Sequence, residues 1–109
     1  MLISTVLHIQ RRFSKIYLFN TLYNLKIAVI PGDGIGWEVV PEGIKVLEAV
    51  GAKYGLSYDF EEFDWGCERY HKTGKLMPDD GIETLKQFDS IFLGACGYPG
   101  VPDHVSLWG

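Results

Sequence analysis

The clearest hydrophobic pattern in the chain is Lys26-Ile27-Ala28-Val29-Ile30, a short run that is apolar on both faces. Such a run predicts a buried parallel strand, with Pro31 expected to end it. A turn rich in glycine follows, Gly32-Asp33-Gly34-Ile35-Gly36, in which glycine permits positive φ and close backbone approach. The period then changes. Val40, Ile44, Leu47 and Gly51 recur at helical spacing, and Val50 and Tyr54 widen the stripe. This predicts a helix from about Trp37 or Glu38 to Tyr54. Pro41 is tolerable in its first turn or as a kink. Glu38 and Glu42 near its start and Lys53 near its end suit the helix dipole, and Gly55 suits a C-terminal cap.

The pattern continues in the same alternation of strand and helix. Tyr58, Phe60 and Phe63 alternate with polar residues across Ser57 to Phe63, which predicts a half-exposed second strand. Trp65 to Lys72 reads as a short helix stopped at Gly74. Pro78-Asp79-Asp80 starts another, about Asp80 to Gln87, with Ile82, Leu85 and Phe88 facing inward. Ser90 to Gly94 is a third strand, followed by a second special loop from Ala95 to Val105. The order β-α-β-α-α-β implies an α/β fold with a parallel sheet. Both glycine-bearing loops, after the first and third strands, then lie at one edge of that sheet. In open α/β sheets that edge is where ligands bind.

Composition refines this picture. The chain has 109 residues, 47% hydrophobic and 22% charged, and a net charge of −4. Residues 1–32 hold Arg11, Arg12, Lys15 and Lys26 and no acid, so they sum to +4 and the remainder to −8. An acidic body argues against nucleic acid as partner. No apolar run approaches the roughly 20 residues of a membrane span. Two distant cysteines, Cys67 and Cys96, form neither a disulfide framework nor a Cys-x-x-Cys site, so a cytoplasmic location is the expectation. Residues 1–25 are apolar and basic. They read as an N-terminal extension that is disordered, a spurious upstream start, or an organelle-targeting segment. The folded unit is expected over 26–109.

The glycine loop fails two common nucleotide signatures. The pattern G-x-G-x-x-G breaks at Trp37 or Val39, depending on the starting glycine, and no Gly-Lys-Ser/Thr occurs. From spacing alone the loop is as compatible with a tight turn as with a ligand site. Asp33 reads as a carboxylate that orders the loop through backbone N–H groups, ahead of a base or metal ligand. Asp79-Asp80 reads as a helix cap. Cys96 reads as a small apolar packer after a buried strand. Cys67, Glu68 and His71 are too few ligands for zinc, and His71 is expected to face solvent. Asp103-His104 could tune an imidazole near a site or simply shape its loop. Trp108 could equally pack over a ligand or belong to a core.

Pro31-Gly32-Asp33-Gly34-Ile35-Gly36 with Glu38, then Leu93-Gly94-Ala95-Cys96-Gly97-Tyr98-Pro99, resembles the start of the isocitrate/isopropylmalate dehydrogenase family. Val39 to Ile44 and Val101 to Gly109 are most similar to its tartrate dehydrogenase/D-malate dehydrogenase branch. The resemblance covers residues 26–109 and about the first quarter of a family member. It implies the incomplete β-α-β-α-β start of an isopropylmalate dehydrogenase-like two-domain fold. It implies NAD-dependent oxidative decarboxylation of a small 2-hydroxy acid with Mg²⁺ or Mn²⁺, in a homodimer. The alternatives are a 3-isopropylmalate or isocitrate dehydrogenase fragment, or a non-catalytic partner subunit. By the resemblance, Ile35 lies against the cofactor, Gly97, Tyr98 and Pro99 begin the loop along the NAD, and Trp108 approaches its nicotinamide end. Tyr98 stands where the isopropylmalate branch commonly has glycine, Cys96 where valine is usual, and Trp37 where proline or lysine is usual. The family's catalytic and metal-binding residues fall after Gly109, so no catalytic residue is assigned. Half a site implies weak or undetectable NAD binding and no turnover by this chain alone.

Overall fold

The computed structural model describes residues 23–106. Three parallel strands form one sheet in the order β2-β1-β3: β1 (Tyr23–Gly32), β2 (Leu56–Glu62) and β3 (Ser90–Ala95). Four helices connect and follow them: α1 (Gly36–Tyr54), α2 (Cys67–Thr73), α3 (Gly81–Leu85) and α4 (Asp103–Ser106). The α/β parallel-sheet class read from the sequence is the observed one.

β1 is central and longer than predicted. It begins at Tyr23, three residues before Lys26, and takes Tyr23, Asn24 and Leu25 into register with Leu56, Ser57 and Tyr58. It also runs through Pro31, which does not end it. The Val29 carbonyl accepts the Phe63 N–H at 2.8 Å on the β2 side, so Pro31, two residues on, faces that same side. β2 has already stopped at Glu62, so no ladder bond is lost through the missing N–H. On the other side Gly32 still pairs with Ala95. The start of β3 is fixed just as firmly, because Asp89 and Lys26 exchange backbone and side-chain bonds of 2.8 and 2.9 Å.

The core lies between β1 and α1. Leu25, Ile27, Val29 and Val40 are buried together, with Ile44, Tyr58, Phe60 and Phe92 against them. Gly43 and Gly51 let α1 approach the sheet, since a Cβ at either would meet Phe92 or Leu56 and Tyr58 within 3 Å. α1 keeps Pro41 inside it, and Gly55 closes it in the left-handed conformation. Tyr54, predicted to widen the apolar stripe, is 46% exposed and lies beside Lys53. On the opposite face, Phe63 joins Trp65 and Phe88 in an aromatic cluster with centroid separations of 4.4 and 5.7 Å.

Several connecting elements differ from the sequence expectation. α3 is shorter than Asp80 to Gln87, and Ile82 on it is 53% exposed rather than inward. Asp80 occupies its N-cap position without a side-chain cap bond, and Asp79 instead pairs with Lys75. Residues 103–106, read as loop, form the single turn α4.

Candidate functional site

The connection β1-α1-β2 runs to one side of β1, and the chain then crosses to place β3 on the other side. The strand order therefore reverses between β1 and β3. Crevices at such switch points, beyond the carboxyl ends of the strands, are where open α/β sheets bind ligands. Here both glycine loops emerge there. Gly32 has φ +79°, and a Cβ on it would stand 2.1 Å from the Ala95 carbonyl oxygen. Gly36 is helical, and a Cβ on it would stand 1.8 Å from the Pro31 carbonyl oxygen. The ends of β1 and β3 and the start of α1 are thus in direct backbone contact, which only glycine allows.

Asp33 ties this contact together. It is 3% exposed, and its backbone N–H donates to the Ala95 carbonyl at 2.6 Å. Its carboxylate accepts three backbone N–H bonds: Cys67 at 2.9 Å, Glu68 at 2.8 Å and Gly97 at 3.0 Å. Burial opposes its charge, but the three donors outweigh it and hold its pKa below the usual carboxylate value. The sequence reading of Asp33 as a loop-ordering carboxylate agrees with this, yet its donors come from the first turn of α2 and from the loop after β3. The first turn of α2 and the β3 loop gave no sign of this in the sequence. Gly66 precedes α2 there, and a Cβ on it would stand 3.0 Å from the Asp33 carboxylate.

Around this hub, the residues expected at a cofactor fall into place unevenly. Ile35 is 62% exposed at the tip of the β1 loop. The indole N–H of Trp37 donates to the Gly32 carbonyl at 3.0 Å, bracing that loop. Gly97 has open space where a Cβ would be, so its backbone can be approached closely. Tyr98 is 39% exposed, and its ring stacks on His71 of α2 at 5.7 Å between centroids. Pro99 is exposed beside it. Trp108 lies outside the described residues.

Cys96, expected to pack inside, is exposed instead, whereas Cys67 is fully buried. Burial first, and then the Asp33 carboxylate, push the Cys67 thiol up to about 11, and the same two causes raise Cys96. Neither thiol is poised as a nucleophile. Asp103 and His104 open α4 and are exposed; His104 borders a largely apolar cavity of about 850 Å³ with Ile30, Trp65, Leu93 and Cys96 on the sheet face opposite α1. Among the described residues no three His, Cys, Asp or Glu side chains are grouped to hold a metal ion.

The sequence pattern of the isocitrate/isopropylmalate dehydrogenase family matches residues 26–106, which include both loops and the Asp33 hub. The chain belongs to the isocitrate/isopropylmalate dehydrogenase family. Two relatives place it within that family. A tartrate dehydrogenase/decarboxylase of Pseudomonas putida is 56% identical over 89 residues, covering 80% of this chain and 24% of that protein. The D-malate dehydrogenase [decarboxylating] of Escherichia coli K12 is 55% identical over 87 residues, covering 78% and 24%. The chain therefore spans about a quarter of the length of these family members. Solved structures agree on the fold. A β-decarboxylating dehydrogenase of Thermococcus kodakarensis aligns with TM-score 0.55 and 29% identity over 72% of this chain and 22% of that one. An isocitrate dehydrogenase of Methylococcus capsulatus aligns with TM-score 0.53 and 31% identity over the same shares. Among the described residues no helix is long and apolar enough to cross a membrane.

Proposed function

We propose that this chain supplies the cofactor-side wall of an NAD-dependent oxidative decarboxylase acting on a small 2-hydroxy acid of the tartrate or D-malate type. The observation that carries the reading is the Asp33 carboxylate, which binds the loops after β1 and β3 to one another at the switch point. The identities of 55–56% to a tartrate and a D-malate enzyme support that branch.

The residues present suit a dinucleotide. Ile35 offers an exposed apolar surface, Gly97 an open backbone, and Tyr98 an aromatic edge on the adjoining loop. When bound, NAD supplies the acceptor for the hydride that leaves C2 of the hydroxy acid. The work of the chain is to hold Ile35 and the Gly97-Tyr98-Pro99 segment at fixed separation, so that the cofactor meets a rigid wall rather than two mobile loops. The Mg²⁺ or Mn²⁺ that the family reading implies finds no three-ligand set among the described residues.

The 109-residue chain alone is then a half-site. Equilibrium dialysis should give an NAD dissociation constant near or above about 1 mM, roughly 4 kcal/mol of binding. NAD reduction with D-malate or tartrate and Mn²⁺ should stay at background. Micromolar NAD binding or clear turnover would overturn the half-site reading. In the full-length enzyme, we propose, the same wall works within a homodimer.

A further inference from the structure

We propose that His71 is a positioning residue that fixes the Tyr98 ring, and through it the loop after β3, as part of the cofactor wall. The proposal rests on the cofactor reading above and assigns a role to a side chain on α2, an element that reading leaves unused. Asp33 binds the N–H groups of Cys67 and Glu68 in the first turn of α2 and the N–H of Gly97 in the β3 loop. His71 is one helical turn beyond Cys67 and therefore rises from the same side of α2. Tyr98 is the residue immediately after Gly97. Their rings stack with centroids 5.7 Å apart and planes at 30°, within the range of favourable aromatic pairs.

The result is a clamp with two points. The carboxylate holds the backbone at Gly97, and the imidazole holds the side chain of the next residue. One fixed point leaves the Tyr98 side chain free to rotate, whereas two define where the ring stands. α2 is itself anchored, since the Gly66 N–H donates to Leu76 O at 3.0 Å and Gly74 closes the helix on Tyr70. His71 is exposed and outside the core, so its replacement should leave the fold intact.

The test uses the full chain labelled with 3-fluorotyrosine, in which Tyr98→Phe identifies the Tyr98 fluorine resonance. His71→Ala should move that resonance toward the position of a freely exposed tyrosine and speed proteolysis between Tyr98 and Val101. His71→Phe, which keeps a ring for the stack, should restore both. The urea midpoint should stay the same in all variants. NAD binding should weaken about two- to tenfold in His71→Ala and recover in His71→Phe. An unchanged Tyr98 resonance in His71→Ala would overturn the proposal, as would failure of His71→Phe to restore it. If NAD binds the parent chain without moving its Tyr98 resonance, the cofactor reading fails, while the shift between the parent chain and His71→Ala still decides the role of His71.

Discussion

The carboxylate of Asp33 accepts a hydrogen bond from the Gly97 backbone N–H at 3.0 Å, across 64 positions of sequence. With Cys67 and Glu68 as its other donors, Asp33 joins the loop after β1, the first turn of α2 and the loop after β3. Removing it leaves three N–H groups without an acceptor in a largely buried place. Asp33→Ala should therefore cost about 3–5 kcal/mol in urea unfolding, and Asp33→Asn, which keeps one carbonyl acceptor, about half of that.

The same bonds make stability depend on pH. The Asp33 pKa is lowered from 3.8 in the folded chain, so its contribution is complete above the unfolded value. It is lost as pH falls through the lower folded value. Comparing urea midpoints of the parent chain and Asp33→Asn should show a constant gap from pH 7 to about 5, shrinking below about pH 4. A gap that persists unchanged to pH 2 would contradict a charged Asp33.

The two loops also depend on missing side chains. A Cβ at Gly36 would collide with the Pro31 carbonyl, while one at Gly34 meets nothing within 4 Å. Gly36→Ala should cost about 3 kcal/mol or prevent folding, because backbone rather than a flexible side chain must move. Gly34→Ala, at φ +47°, should cost only about 1–2 kcal/mol, from the left-handed backbone alone. Thermal unfolding of the pair separates close approach from backbone strain.

The thiols give a chemical check on the site. Cys96 is exposed and Cys67 buried, with its thiol held near 11. Native labelling at pH 8 should modify Cys96 alone, and Cys67 should react only after denaturant is added. Rapid native labelling of Cys67 would show that the Asp33 hub opens readily.

Much of this architecture was legible in the sequence, because periodicity reports burial directly. The both-faces-apolar run at Lys26 to Ile30, the helical stripe through Val40 and Gly51, and the glycine loops each imply their elements without tertiary information. What was not legible depended on neighbours. Pro31 stays in β1 because β2 ends early, and only the strand register reveals that. The partners of Asp33 are backbone N–H groups, which every residue but proline carries, so no residue type marks them. Ile82 and Cys96 look like interior residues by composition, yet the elements they sit on leave them exposed.

In the proposed site the loops after β1 and β3 form one cofactor-facing wall. Titrating the ¹⁵N-labelled chain with NADH and mapping amide shifts tests it most directly. Shifts should concentrate at Ile35, Gly97 and Tyr98 and move together with one dissociation constant of about 1 mM or weaker. Shifts clustered elsewhere on the molecule, or NADH binding that leaves Ile35 and Tyr98 unmoved, would contradict it.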